Sequence, residues 1–162
     1  MSTPVITIRR SVETADVEKV RSITESTGFF YREEVDTAVE LIQDRLDKGL
    51  RSGYHFLFAD EDRQTVAYTS YGPIACTRSS FDLYWIVVAG SFRGRGLGKL
   101  LLEATEDAIK GLGGSRVYIE TSMREFYEPT RAFYVARGYS PVAVLDDFYA
   151  PGDAKVIYLK VI

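Results

Sequence analysis

The chain has 162 residues, of which 46% are hydrophobic and 27% charged, and a formal net charge of −3. That balance describes one ordinary globular domain, residues 1–162, with material for a sizeable core. The slight acidity excludes a nucleic-acid or membrane binder working by bulk charge. No apolar run approaches the roughly 18 residues of a membrane span, and the start lacks a basic-then-apolar signal pattern. The single cysteine, Cys76, excludes an internal disulfide and fits a reducing cytoplasm.

The elements follow in chain order. Val5 to Arg9 alternates apolar and polar residues, as a strand does. Thr14 is placed to cap a helix with Asp16 and Glu18 in its first turn, and Gly28 breaks that helix. An aromatic cluster follows at Phe29, Phe30 and Tyr31. Glu33 to Lys48 reads as a second helix, with Val35, Ala38, Val39, Ile42 and Leu46 on one face and Gly49 as its stop. Tyr54 to Ala59 and Thr65 to Tyr71 read as strands flanking an acidic turn, 60–64. His55 is the lone histidine, and no metal-ligand cluster stands anywhere, so no metal is expected.

Phe81 to Val88 is rich in β-branched and aromatic residues, which suits a buried strand. A helix follows whose expected apolar face is Leu97, Leu100, Leu101, Ala104, Ala108 and Leu112. Arg116 to Glu120 is a strand, 121–128 a loop or helical entry, and Thr130 to Arg137 a helix stopped by Gly138. Pro141 to Leu145 and Ala154 to Val161 are the last strands, joined by a loop at 147–153. The order β-α-α-β-β-β-α-β-α-β-β gives an α/β fold with a mixed sheet of about seven strands, parallel in the middle.

The turn between the fourth strand and its helix carries Arg93, Gly94, Arg95, Gly96, Leu97, Gly98 and Lys99. A Gly-rich turn entering a helix offers unpaired amides and the positive end of a dipole, and arginines add charge. That combination suits phosphates. Its spelling departs from G-x-x-x-x-G-K-[ST], because Leu100 stands where the hydroxyl is required and Arg93 where the first glycine is. It also departs from G-x-G-x-x-G, since its glycines are spaced G-x-G-x-G.

The spelling R-G-R-G-L-G at 93–98 resembles the acyl-CoA pyrophosphate loop [RQ]-x-x-G-x-[GA] of the GNAT superfamily of N-acetyltransferases. A-F-Y-V-A-R-G-Y at 132–139 resembles the A-x-F-Y-x-x-x-G-[FY] helix end of the same family, and the element order agrees. The resemblance implies acetyl-CoA as cosubstrate. It implies pyrophosphate on Arg93, Gly94, Arg95, Gly96, Leu97, Gly98 and Lys99, and pantetheine on the backbone of Ile86, Val87 and Val88. Two departures stand out. Gly90 occupies a position that is often proline, and Tyr127-Glu128-Pro129-Thr130 replaces a frequent asparagine.

Acetyl transfer to an amine requires a neutral nucleophile, and freeing an alkyl ammonium of its proton at pH 7 costs roughly 4 to 5 kcal/mol. A carboxylate is the expected base, and two are candidates: Asp82, at the start of the central strand on one face with Tyr84 and Ile86, and Glu120, at the end of the next. Tyr134 resembles the family's general-acid tyrosine, whose phenol protonates the departing thiolate. The acceptor pocket is expected among Phe30, Tyr31, Glu34, Tyr84 and Phe148, with Phe29, Glu33, Asp36, Asp146, Asp147 and Tyr149 nearby. Acids beside aromatics suit a cationic amine, small or on a protein. Two function classes stay open: an N-acetyltransferase working in a ternary complex, and a non-catalytic CoA-binding sensor or interaction module. The chain is read as a monomer or homodimer.

Overall fold

The computed structural model describes residues 3–162. The strands are β1 (Ile6–Arg9), β2 (His55–Glu61), β3 (Gln64–Pro73), β4 (Ser80–Val88), β5 (Arg116–Ser122), β6 (Ser140–Ala150) and β7 (Asp153–Val161). The helices are α1 (Asp16–Ser26), α2 (Arg32–Lys48), α3 (Leu97–Gly111) and α4 (Glu128–Ala136). The seven strands form one mixed sheet in the order β1-β2-β3-β4-β5-β7-β6, the α/β architecture expected. β4 and β5 run parallel, registered from Ser80↔Arg116 to Asp82↔Tyr118, as a strand–helix–strand crossover requires. The pairs β1–β2, β2–β3, β5–β7 and β6–β7 are antiparallel. The chain clusters into two compact units: one ends at Gly72 and includes Trp85–Ala108, the other comprises Pro73–Tyr84 and Ile109–Ile162.

In the first unit, α1 and α2 bury Val20, Ile23, Ala38 and Ile42 against Phe56, Phe58, Tyr68 and Val87 of the sheet. The valine, isoleucine and phenylalanine side chains each contribute about 1.5 to 3 kcal/mol when fully buried. Strand alternation sends Tyr68 and Thr69 to opposite faces. The Tyr68 hydroxyl bonds Thr24 on α1 at 2.7 Å, and the Thr69 hydroxyl bonds Thr105 on α3 at 2.9 Å. One residue pair thus ties helices to both sides of β3.

Several details differ from the expectations. Thr14 makes no side-chain cap on α1. Asp16 takes over there: it is fully buried and accepts two bonds from Arg9 and one from the Glu13 amide. The β2–β3 turn is two residues, Asp62 and Arg63, both at positive φ, so Asp60 and Glu61 lie in the strand. That geometry matches the twist of a hairpin. Leu100 on α3 is 41% exposed and Leu112, just past its end, 52%, whereas Leu102, Thr105 and Ile109 are buried. The buried stripe is rotated because Thr105 satisfies its hydroxyl on the Leu101 carbonyl and on Thr69. Burial then costs it little.

In the second unit, Val117, Ile119, Tyr134, Tyr139, Val156 and Tyr158 are buried. The residues expected as a loop from Asp147 are mostly strand. β6 continues to Ala150, and its register slips against β7 between Leu145 and Ala150. Asp147 sits at φ 55 and accepts the Gly152 amide at 2.7 Å, so the bulge is closed locally and Pro151–Gly152 alone forms the turn.

Candidate functional site

The chain leaves β4 through Ala89, whose N–H donates to the Val66 carbonyl at 2.8 Å. Gly90 then donates its N–H to Ser26 Oγ at 3.0 Å, and a Cβ there would lie 2.5 Å from the Ser26 carbonyl oxygen. Proline would bring that Cβ and remove the donor, which explains glycine at a position that is often proline. The approach of α1 is long-range, so the sequence alone carried no sign of it.

Beyond the short turn 90–92, Gly94 and Gly96 take φ of 74° and 78° with nothing within 4 Å of a built Cβ. Their requirement is backbone conformation, not space. The first helical bond of α3 is Leu100 N–H to the Gly96 carbonyl at 3.1 Å. The amides of Leu97, Gly98 and Lys99 therefore have no intrahelical acceptor. Leu97 is buried and anchors the turn, while Arg93 to Gly96 and Lys99 are exposed.

The two loop arginines are not equivalent. Arg95 donates through both terminal nitrogens to Glu61, and its guanidinium lies 5.2 Å from the Phe92 ring centroid. Arg93 has no carboxylate partner among the described residues and lies 5.5 Å over the Phe29 ring. Lys99 reaches Glu103 at 3.9 Å, one turn along α3. Of Ile86, Val87 and Val88, only Val87 is fully in the core, so the alternation of β4 holds at its end.

The second unit gathers charge around β5. Asp82 is in register with Tyr118, and Glu120 lies two residues further on the same strand. Burial, and next the Glu120 charge, raise the Asp82 carboxyl above its ordinary range; Lys155 opposes them. Glu120 is held by Lys155, whose Nζ stands 2.6 Å from Oε2. That Nζ also lies 3.6 Å from the Phe148 ring centroid and 5.8 Å from that of Tyr149. Sequence reasoning missed Lys155, because a lysine in an alternating last strand reads as solvated. Its significance comes from the β6 bulge that lays aromatics over it.

Tyr134 is buried, its ring 5.6 Å from Phe133, 6.0 Å from Tyr139 and 6.1 Å from Tyr158. The stop at Gly138 lets the Tyr139 amide return to the Tyr134 carbonyl at 3.1 Å, which fixes the end of α4. Burial pushes the phenol above its usual value. It therefore stays protonated at neutral pH.

The candidate acceptor residues belong to both units. Phe30 packs edge-on to Trp85 at 5.1 Å against the first unit's core. Tyr31 is exposed, and Glu34 accepts the Tyr31 amide at 2.8 Å, a helix cap. Asp36 pairs with Arg21 at 3.0 Å. Tyr84 is partly exposed, and Phe148 carries Lys155 on its face. His55 stacks on Tyr71 at 5.3 Å, and burial, then Arg45, lower its pKa. It is a packing residue.

The model of the acetyltransferase (GNAT) family matches residues 18–139. The chain belongs to the GNAT acetyltransferase family. A GNAT-family structure from Desulfovibrio desulfuricans is 43% identical, with 97% of this chain and 99% of that chain covered and a TM-score of 0.95. The ribosomal-protein-S18-alanine N-acetyltransferase of Escherichia coli has TM-score 0.76 at 18% identity, covering 98% and 94%. An aminoglycoside 6'-N-acetyltransferase complexed with coenzyme A has TM-score 0.78 at 18% identity, covering 97% and 96%. These last two share the GNAT fold with this chain. No curated protein matches the sequence.

Proposed function

We propose that this GNAT chain transfers the acetyl group of acetyl-CoA to an amine by direct attack in a ternary complex. The observation that carries it is the loop: two left-handed glycines ahead of three amides without intrahelical acceptors, beside Arg93, which has no carboxylate partner among the described residues. Amides at a helix start and a free guanidinium bind a diphosphate well. In this reading the pyrophosphate rests on Arg93–Lys99, with Arg95 shaping the loop through Glu61. The backbone of Ile86–Val88 takes the pantetheine, and an amide near Val88 stabilises the oxyanion.

Asp82 is the base. Its raised pKa brings it closer to neutrality, where a carboxylate takes a proton from an ammonium at less cost. The proton balance closes. The ammonium gives one proton to Asp82; nitrogen then attacks the thioester carbonyl, the C–N bond forms and the C–S bond breaks. Tyr134 protonates the thiolate, and the second amine proton replaces the one Tyr134 gave. The products are amide, CoA thiol and one proton released from Asp82.

The acceptor is a small or protein-borne amine. Lys155 already covers Phe148, so that ring is not the cation's resting place. We infer a cytoplasmic setting, supported by the free, exposed thiol of Cys76.

The test is CoA binding by calorimetry beside thiol release from acetyl-CoA against a panel of amines. Binding with amine-dependent release is expected. Binding without release from any amine would establish the sensor reading instead.

A further inference from the structure

Lys155 stands in an unusual place for a cation. Its side chain is only 10% exposed, its Nζ bonds Glu120 at 2.6 Å, and the same nitrogen faces the Phe148 ring at 3.6 Å. A lysine so covered has lost most of its hydration and its rotamer freedom. Ion pair and ring face replace the lost water. Glu120 is thereby committed, while Asp82, on the adjoining strand, makes no ion pair among the described residues.

Asp153, two residues before Lys155 on β7, pairs with Arg124 at 3.2 Å and with the Ser122 hydroxyl. Ser122 is the register partner of Lys155 on β5, and Leu145 is its partner on β6. The Tyr149 ring also faces the ammonium, its centroid 5.8 Å away. The charges acting on Asp82 are Glu120, which disfavours its ionisation, and Lys155, which favours it.

We propose that Lys155 is a positioning residue for acetyl transfer: by pinning Glu120 it leaves Asp82 as the carboxylate that accepts the amine's proton. The proposal rests on the acetyl-transfer function above. The two charges bear on Asp82 in opposite directions, which gives Lys155 a signature that a merely structural lysine lacks. Removing the cation makes Asp82 harder to ionise, and removing the Glu120 charge makes it easier.

The experiment has two readouts. Asp82 is titrated by carboxyl carbon NMR in the CoA-free protein, and the acidic limb of kcat/KM against pH is measured in parallel. Lys155→Met moves both midpoints up, and Glu120→Gln moves both down, each by at least about half a pH unit. Lys155→Arg keeps the charge and restores the wild-type midpoints. An Asp82 midpoint that stays put in Glu120→Gln, or moves the same way in both variants, overturns the proposal. Should Lys155→Met fail to fold, the Glu120→Gln and Lys155→Arg arms decide alone. The NMR arm needs no turnover, so an inactive wild type would fail the acetyl-transfer reading without touching the electrostatic relation.

Discussion

Arg95 and Glu61 form a two-pronged pair across the mouth of the glycine loop, with Nη1 donating to Oε2 at 3.2 Å and Nη2 to Oε1. Glu61 ends β2 and is largely shielded, and Arg95 lies between the two left-handed glycines. The pair fixes the loop's middle to the sheet. It also means that one of the two arginines enters any encounter with phosphate already neutralised, and the work of attraction falls on Arg93.

The first prediction separates them. Arg93→Ala loses a charge-assisted contact to phosphate, worth about 1.5 to 3 kcal/mol, so CoA affinity falls by about tenfold or more and its salt dependence weakens. Arg95→Ala weakens binding less, and Glu61→Gln leaves the charge attraction stronger but the loop looser. Calorimetry of CoA binding at two salt concentrations checks this. Equal losses from both arginines would show that Arg95 also meets the phosphate.

Gly94→Ala tests the backbone requirement without touching charge. Nothing crowds a Cβ there, so the cost is conformational, about 1 to 2 kcal/mol for a left-handed residue. Thermal unfolding of the CoA-free protein reports it as a lowered Tm. If Tm is unchanged while CoA affinity collapses, the methyl group blocks the ligand instead.

Most of the fold was legible because its signals are local. The alternation of β1, the apolar stripe of α2 and the Gly138 stop each sit within one element, and the structure has them. What escaped depends on contacts far apart in sequence. Ser26 forces glycine at position 90, Arg9 turns Asp16 into the real anchor of α1, and a slipped register extends β6 through residues that spell a loop. The turn at 93–98 was readable because a tight entry into a helix favours glycine in the left-handed conformation, which Gly94 and Gly96 adopt. The acceptor residues were not, since an acid in a first helical turn looks the same whether it caps, as Glu34 does, or binds a substrate.

Tyr134→Phe keeps the ring packing against Tyr139 and Tyr158 and deletes only the hydroxyl. Turnover falls at least about tenfold, in line with loss of general-acid help, while CoA affinity stays within about threefold. Because burial raises the phenol's pKa, wild-type kcat shows no alkaline loss from this group in the neutral range. Rates unchanged in the phenylalanine variant would remove Tyr134 from the chemistry.

Asp82 bears on the pH dependence of stability. Its folded pKa lies above the unfolded value because burial, then Glu120, disfavour the charge. Protonated Asp82 thus suits the fold, and the penalty for ionisation grows as pH rises from the unfolded value, about 3.9, through the folded one. Asp82→Asn is therefore more stable than wild type at neutral pH, and the two Tm values converge below about pH 4. The same variant loses acetyl transfer. A gain in Tm with full activity would show a structural acid only.

Asp16 predicts the opposite pH dependence in the first unit. It is fully buried, and burial alone would raise its pKa. Two bonds from Arg9, the Glu13 amide and Lys19 outweigh that and hold it below the ordinary range. Its contribution is present above the unfolded carboxylate value and lost as pH falls through the folded one. Asp16→Asn leaves Arg9 with Asp60, at 2.9 Å, as its remaining carboxylate, and breaking one partner of a buried pair costs about 3 kcal/mol at neutral pH. Urea unfolding at neutral pH and again near pH 3 measures both: wild type leads clearly in the first and by much less in the second. A difference constant across that range would mean that the carboxylate's shape matters and its charge does not.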